Sequence, residues 1–101
     1  MRNIYAGIAI VLSITLAGCD SQPVKVAKAD ITKRLKDPRS AEYRNVKAVE
    51  YDPGEFLISG MVNAKNSFGG FTGFQEFRVT MRKTDGGYEV TSTFINDQIA
   101  D

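Results

Sequence analysis

The 101-residue chain contains no histidine, no tryptophan and a single cysteine. The lack of histidine excludes a histidine-based catalytic triad and the usual zinc sites built from cysteine and histidine. A single cysteine cannot form an intramolecular disulfide. The formal net charge is only +1, which supplies neither the bulk basic charge of a nucleic-acid-binding protein nor the acidity of a disordered tail. We therefore expect a small domain with no metal, no soluble cofactor and no nucleic acid as partner.

Residues 1–18 have the pattern of a secretory signal peptide. Met1-Arg2-Asn3 is a short basic segment, and residues 4–17 form an apolar run without a charge. This run is shorter than the roughly 20 residues that a membrane-spanning helix needs. Small residues follow it at once, as at a cleavage site. The alternative interpretation is an uncleaved N-terminal anchor helix.

Residues 16–19, with the sequence Leu-Ala-Gly-Cys, resemble the lipobox of bacterial lipoproteins at all four positions. The resemblance implies export, a diacylglyceryl thioether on the Cys19 sulfur, cleavage before Cys19 and acylation of the new amine. A thiol that has no disulfide partner agrees with this use, and two or three acyl chains anchor a protein stably where one binds only marginally. We expect a lipidated tether over residues 19–23 and a protein of the cell envelope that faces the periplasm.

Asp20 would be the second residue of the processed chain. In lipoproteins of enteric-type bacteria, an aspartate at this position resembles an inner-membrane retention signal. Asp20 is therefore the candidate residue for membrane sorting, and it favours the inner membrane over the outer membrane. The alternative is an ordinary solvated linker residue.

Charge is distributed unevenly along the processed chain, which would comprise residues 19–101. Residues 20–50 carry eight basic and five acidic side chains, whereas residues 51–101 carry four basic and seven acidic ones. The basic half follows the predicted anchor, where each cation held near an anionic membrane contributes about 1 kcal/mol. The alternative is an ordinary solvated helix face.

Residues 24–101 are expected to form a single small α+β domain. Apolar residues at helical spacing predict an amphipathic helix from Val24 to Leu35. Asp37-Pro38 ends this helix, because a residue before proline avoids the helical conformation. A short helical turn is expected from Ser40 to Tyr43, where Tyr43 would pack against the first helix.

The rest of the chain predicts four strands, over residues 46–51, 56–64, 74–83 and 88–95. Turn signals at Pro53-Gly54 and Gly86-Gly87 separate the first pair and the last pair. In the fourth strand, Tyr88, Val90 and Phe94 are expected on one face. The simplest assembly is an N-terminal amphipathic helix packed on a small four-stranded antiparallel meander.

Between the second and third predicted strands, phenylalanine recurs every three residues, at positions 68, 71, 74 and 77, among several glycines. The glycines oppose a helix by about 1 kcal/mol each, so a loop that folds back on its own aromatic rings is expected. Phe68 and Phe71 either complete the small core or form an exposed contact for a protein or the lipid interface. A phosphate cradle is disfavoured, since no lysine follows the glycines.

Asn63 and Asn66 flank Lys65 at the entrance to this loop. Asparagine side chains suit the capping of backbone N–H groups in a loop, and they equally suit hydrogen bonds to a partner. The candidate residues for partner contact are Asn63, Lys65, Asn66, Phe68 and Phe71.

Two segments, LKDPRSAEYRNV at residues 35–46 and GMVNAKNSFGGFTGF at residues 60–74, resemble a family of small exported proteins and lipoproteins from proteobacterial genomes and prophage-like regions. The shared pattern is LKDPxSAxFxxV followed by GxVNxKNxFGGYxGF. The resemblance carries no settled activity. Many such proteins have a cysteine just before the glycine that corresponds to Gly60, where this chain has Ser59. If a disulfide staples those relatives, packing alone must hold this domain.

Enzymatic chemistry is poorly supported. The acidic residues Glu50, Asp52 and Glu55 surround a turn, but they lack the spacing of a calcium loop. We expect a membrane-anchored, non-enzymatic module that contacts an envelope protein through residues 66–74 or through a sheet edge. The alternatives are a prophage-type lipoprotein that excludes superinfecting phage, as the family resemblance suggests, and a structural lipoprotein docked on membrane or cell wall.

Overall fold

A computed structural model describes residues 20–96 and 98–100 of the chain. The predicted signal peptide and Cys19 lie outside the described residues. The described part contains one α-helix, a short 3-10 helix over Pro38–Ser40 and four strands. Their bounds are α1 Gln22–Arg34, β1 Glu42–Asp52, β2 Glu55–Asn63, β3 Gln75–Thr84 and β4 Gly87–Ile95.

Helix α1 precedes the sheet in the chain, but it is not N-terminal in the sequence, because residues 1–21 come before it. It begins at Gln22, two residues before the predicted start, and Pro23 occupies its first turn. Proline suits this position because the first amides of a helix have no intrahelical acceptor. The segment between Cys19 and the helix is therefore Asp20-Ser21, shorter than the predicted tether.

The four strands form one antiparallel sheet in the order β1-β2-β3-β4, which confirms the predicted meander and the α+β class. The central strands pair with Ile58 opposite Val79 and Gly60 opposite Phe77. In β3, Phe77, Val79 and Met81 are fully buried, and they alternate with solvent-accessible polar residues as predicted.

The hydrophobic core lies between α1 and one face of the sheet. From the helix, Ala27 and Ile31 are fully buried, and they pack against the buried residues of β2 and β3. The C-terminal segment closes one end of this core, since Ile99 is fully buried and its carbonyl accepts a hydrogen bond from the Lys36 amide at 2.9 Å. The sequence contained no signal for this last contact.

A β-bulge in β1 brings the backbone of Val46 close to Gly60 of β2. Asn45 and Val46 together oppose Gly60, and Asn45 has a positive φ of 56°. A Cβ atom on Gly60 would lie 3.0 Å from the Val46 Cα and 3.2 Å from the Phe77 ring. A side chain at position 60 would have to displace these neighbours by a few tenths of an ångström, so close packing favours glycine here.

A second bulge, at Thr91 in β4, corrects the predicted position of Phe94. Ser92 pairs with Thr80, but Val90 pairs with Met81, so Thr91 is the additional residue. A bulge reverses the alternation of side chains along a strand. Tyr88 and Val90 therefore pack against the core, whereas Phe94 lies on the opposite face, 48% exposed.

The predicted helical turn from Ser40 to Tyr43 is wrong, because the 3-10 helix ends at Ser40 and Tyr43 belongs to β1. The extended backbone still directs the Tyr43 ring onto α1, as expected. Its hydroxyl donates to the Lys28 carbonyl at 3.2 Å and lies 2.8 Å from the Thr32 hydroxyl. Burial raises the pKa of the Tyr43 phenol, and the hydrogen bond with Thr32 partly opposes this rise.

Asp30 is a buried carboxylate that joins α1 to β4. It accepts a hydrogen bond from the Thr93 hydroxyl at 2.7 Å and two from the Arg34 guanidinium, at 3.1 and 3.2 Å. Burial by itself raises the pKa of Asp30. The hydrogen bonds from Arg34 and Thr93, and the charges of Arg34 and Lys33, outweigh this effect and hold the pKa below its ordinary 3.8.

Replacing Asp30 with asparagine is expected to lower the free energy of unfolding at pH 7 by about 2 kcal/mol, because charge-assisted hydrogen bonds are lost. Since folding lowers the pKa of Asp30, its contribution is present above the unfolded value and is lost as the pH falls through the folded value. Urea unfolding between pH 7 and pH 2 measures both effects. Below about pH 4, the free energy of unfolding of the variant should fall less steeply with decreasing pH than that of the original protein. Asp85→Asn, at an exposed position, is the control. Equal stability of the two variants at pH 7 would contradict this role.

Candidate contact loop

The segment between β2 and β3 forms a compact loop around one asparagine. We call residues 66–74 the phenylalanine loop. The Asn66 side-chain oxygen accepts hydrogen bonds from the amides of Phe68 and Gly70, at 2.9 and 3.2 Å. Its own backbone N–H donates to the Gly70 carbonyl at 2.9 Å. Asn66 therefore performs the structural capping role that the sequence allowed.

Further hydrogen bonds attach the loop to the domain. At one end, the Lys65 amide donates to the Ser40 hydroxyl at 2.8 Å, and that hydroxyl donates to the Asp37 carbonyl at 2.7 Å. At the other end, the Asn63 side-chain oxygen accepts from the Gly73 amide at 3.2 Å. Gly73 has a φ of +95°, which a residue with a side chain rarely adopts. These contacts fasten both ends of the loop to the domain.

The four phenylalanines pass from solvent to core along the segment. Phe68 is 97% exposed and Phe71 is 49% exposed. Phe74 is half-buried, and the Arg44 guanidinium carbon lies 3.8 Å from its ring centre. Phe77 is fully buried and packs edge-on against Tyr43, with the ring centres 5.7 Å apart. The interpretation that Phe68 completes the core is therefore wrong, because the loop turns it outward.

The exposed part of the loop is apolar, and two basic side chains border it. Lys65 is the only charged residue between positions 64 and 75. Its ammonium nitrogen lies 5.6 Å from the centre of the Phe71 ring. Arg44 reaches the loop from β1, where no sequence pattern connected it with Phe74. A partner of this surface would meet aromatic rings beside Lys65 and Arg44, and aromatic residues and arginine are enriched at protein interfaces.

The other acidic residues considered in the sequence have structural contacts. Asp20, the candidate sorting residue, makes an ion pair with Lys28 at 2.7 Å, so its carboxylate is engaged within the domain. The acidic turn is structural, since a Glu50 carboxylate oxygen accepts from the Gly54 amide at 2.9 Å. Within residues 20–96 and 98–100, no group of side chains is suited to hold a metal ion.

The sheet has two edge strands of different character. Strand β1 carries five charged residues along its length, whereas the six residues of β4 from Val90 to Ile95 carry none. In the described part of the chain, α1 is the only α-helix, and it is neither long nor apolar enough to cross a membrane.

Comparison with known proteins identifies no relative: the chain matches no family model, no curated protein and no solved structure. The similarity of residues 35–46 and 60–74 to small exported proteins therefore stays a prediction.

Proposed function

We propose that the protein is a lipoprotein of the cell envelope, anchored through acyl chains on Cys19, that binds an envelope protein through the phenylalanine loop without catalysing a reaction. Under this proposal the processed chain begins at Cys19, so α1 is the first element of the mature domain, and Asp20 favours the inner membrane. The observation that carries the proposal is the exposure of Phe68, which is 97% at the tip of a hydrogen-bonded loop.

The energetics of this loop favour binding. Moving one phenylalanine ring from water into an apolar pocket is worth about 1.5–3 kcal/mol. Because Asn66 already holds the loop amides, little conformational freedom is lost when a partner docks. A loop that served only the core would bury Phe68, as β3 buries Phe77. The fold instead fixes the backbone amide of Phe68 and leaves its apolar side chain in water.

The position of the loop favours a protein partner over the lipid surface. Helix α1 has 13 residues and is therefore about 20 Å long. The predicted anchor precedes its first turn, whereas the base of the loop touches Ser40, beyond its last turn. Asp20, bound to Lys28, leaves little slack between anchor and helix. The domain can thus present Phe68 away from the membrane surface that holds Cys19.

A photo-crosslinking amino acid placed at position 68 of the membrane-bound protein tests this function in living cells. We expect one discrete protein adduct, because a specific interface surrounds a central aromatic side chain. Position 51 is the matched control: Tyr51 is also an exposed aromatic residue, at 56%, but lies near the other end of the sheet. It should give no adduct of the same mass.

Adducts to lipid alone, or equal adducts from positions 68 and 51, would refute the protein-binding function. The identity of the partner distinguishes the two predicted roles. A host envelope protein supports an accessory module, whereas a component of an infecting phage supports superinfection exclusion. Phe68→Ala should leave the folded domain intact and abolish the adduct formed from a crosslinker at the neighbouring position 71.

A further inference from the structure

Strand β4 presents an edge that can accept another strand. It is the last strand of the sheet, and its residues from Val90 to Ile95 are uncharged and mostly β-branched or aromatic. Protein edges of this kind are usually blocked by a bulge or by charges; β4 has a bulge at Thr91 but lacks the charges between Val90 and Ile95. The opposite edge, β1, is blocked by the charges of Arg44, Lys47 and Glu50 among others. The two edges therefore differ in their capacity to pair.

Lys33 and Arg34, in the last turn of helix α1, form a basic wall beside the β4 edge. Asp30 bonds to Thr93 of β4, so the cations that bind Asp30 lie next to this strand as well. Arg34 and Lys33 both approach that single carboxylate, with nearest distances of 3.1 and 3.5 Å, and their side chains stay 43% and 71% exposed. Among the described residues, the single carboxylate of Asp30 pairs with two cations, which gives this group of three side chains a net positive charge.

This charge selects among possible occupants of the edge. A second copy of the chain, paired through its own β4, would bring a second pair of Lys33 and Arg34 side chains to the same side of the extended sheet. Like charges placed together oppose association. An extended segment with acidic side chains would instead complete the backbone hydrogen bonds of β4 and neutralise the wall.

We infer that the β4 edge between Val90 and Ile95, together with Lys33 and Arg34 of α1, binds an extended acidic segment of another protein as a fifth strand. The inference rests on the proposed function only in placing that protein in the cell envelope. It uses none of the residues of the phenylalanine loop.

Two synthetic peptides that differ only in charge test the inference. One alternates glutamate with valine and threonine, and the other has lysine in place of every glutamate. Binding to the full chain in detergent micelles is followed by the fluorescence anisotropy of labelled peptides. We expect the acidic peptide to bind at least about tenfold more tightly than the basic one. Amide hydrogen exchange should slow between Val90 and Ile95 when the acidic peptide is bound.

A charge reversal and its control locate the site. Lys33→Glu should remove the preference for the acidic peptide, whereas Lys47→Glu, on the opposite edge strand, should leave it within about twofold of the original. Equal affinity for both peptides, slowed exchange in β1 instead of β4, or dimers that protect β4 without peptide would overturn the inference. Phe68→Ala should keep peptide binding, so a failed crosslink at position 68 and a failed peptide experiment reject different proposals.

Discussion

Replacing Cys19 with serine is expected to move the protein from the membrane fraction to the soluble periplasmic fraction. Under the proposed lipidation, acyl chains would be attached to the Cys19 sulfur and to the amine that cleavage before Cys19 would create, so the variant would acquire neither. No helix within the described residues 20–96 and 98–100 can span a membrane in their place. Two or three chains bind stably, and their removal leaves only electrostatic attraction at about 1 kcal/mol per cation near the surface.

The measurement is fractionation of cells in low and high salt, followed by detection of the protein in each fraction. Ser21→Ala is the matched control, since it changes an exposed residue two positions after Cys19 and should leave the protein membrane-bound. Incorporation of a palmitate analogue by the Cys19→Ser protein would contradict lipidation at Cys19, and membrane retention of the original protein at high salt without any label would support the uncleaved anchor helix. Metabolic labelling with a palmitate analogue should mark the original protein and fail to mark the variant.

The number and order of the strands could be predicted because each depends on local signals. Alternating apolar residues identified β3. Glycine-containing turns between β1 and β2 and between β3 and β4 limited where these strands could begin and end. The helix was recognised by its apolar spacing, to within two residues at its start and one at its end. These patterns are short in sequence and need no knowledge of distant contacts.

The bulges could not be predicted, because a bulge is a relation between two strands. Nothing in the residues of β4 indicates that Thr91 is the additional residue, and the side on which Phe94 lies depends on it. Similarly, the preference for glycine at position 60 comes from the close approach of Val46 across the sheet. The closure of the core by Ile99 depends on contact with residues more than 60 positions earlier.

The residues of the candidate site could be predicted from the sequence, but the direction in which the Phe68 side chain points could not. The sequence identified the residues of the phenylalanine loop and the capping capacity of its asparagines. It left open whether Phe68 points inward, because equal spacing of aromatic residues carries no information about a loop that is neither helix nor strand. The Asn66 side chain bonds to the amides of Phe68 and Gly70, and in the resulting tight turn the Phe68 side chain points away from the core.

Replacing Phe77 with alanine is expected to lower the free energy of unfolding by about 3–5 kcal/mol, the range for large aromatic residues in protein cores. The Phe77 ring is fully buried between the β1 bulge and the helix side of the core, in edge-on contact with Tyr43. A domain of this size has a total stability of only about 4–12 kcal/mol. The substitution should therefore remove a large part of it, and urea unfolding followed by circular dichroism measures the loss.

Phe68→Ala is the matched comparison, because it removes the same side chain from the same repeating segment. Phe68 is 97% exposed, and its loss should change the unfolding free energy by less than about 0.5 kcal/mol. A large loss from Phe68→Ala would show that this ring packs in the folded domain, and the contact function would then fail with it. A small loss from Phe77→Ala would contradict the core itself. Because both variants lose the same side chain, the difference between their unfolding free energies measures how unequally the two phenylalanines, one in the loop and one in β3, contribute to folding.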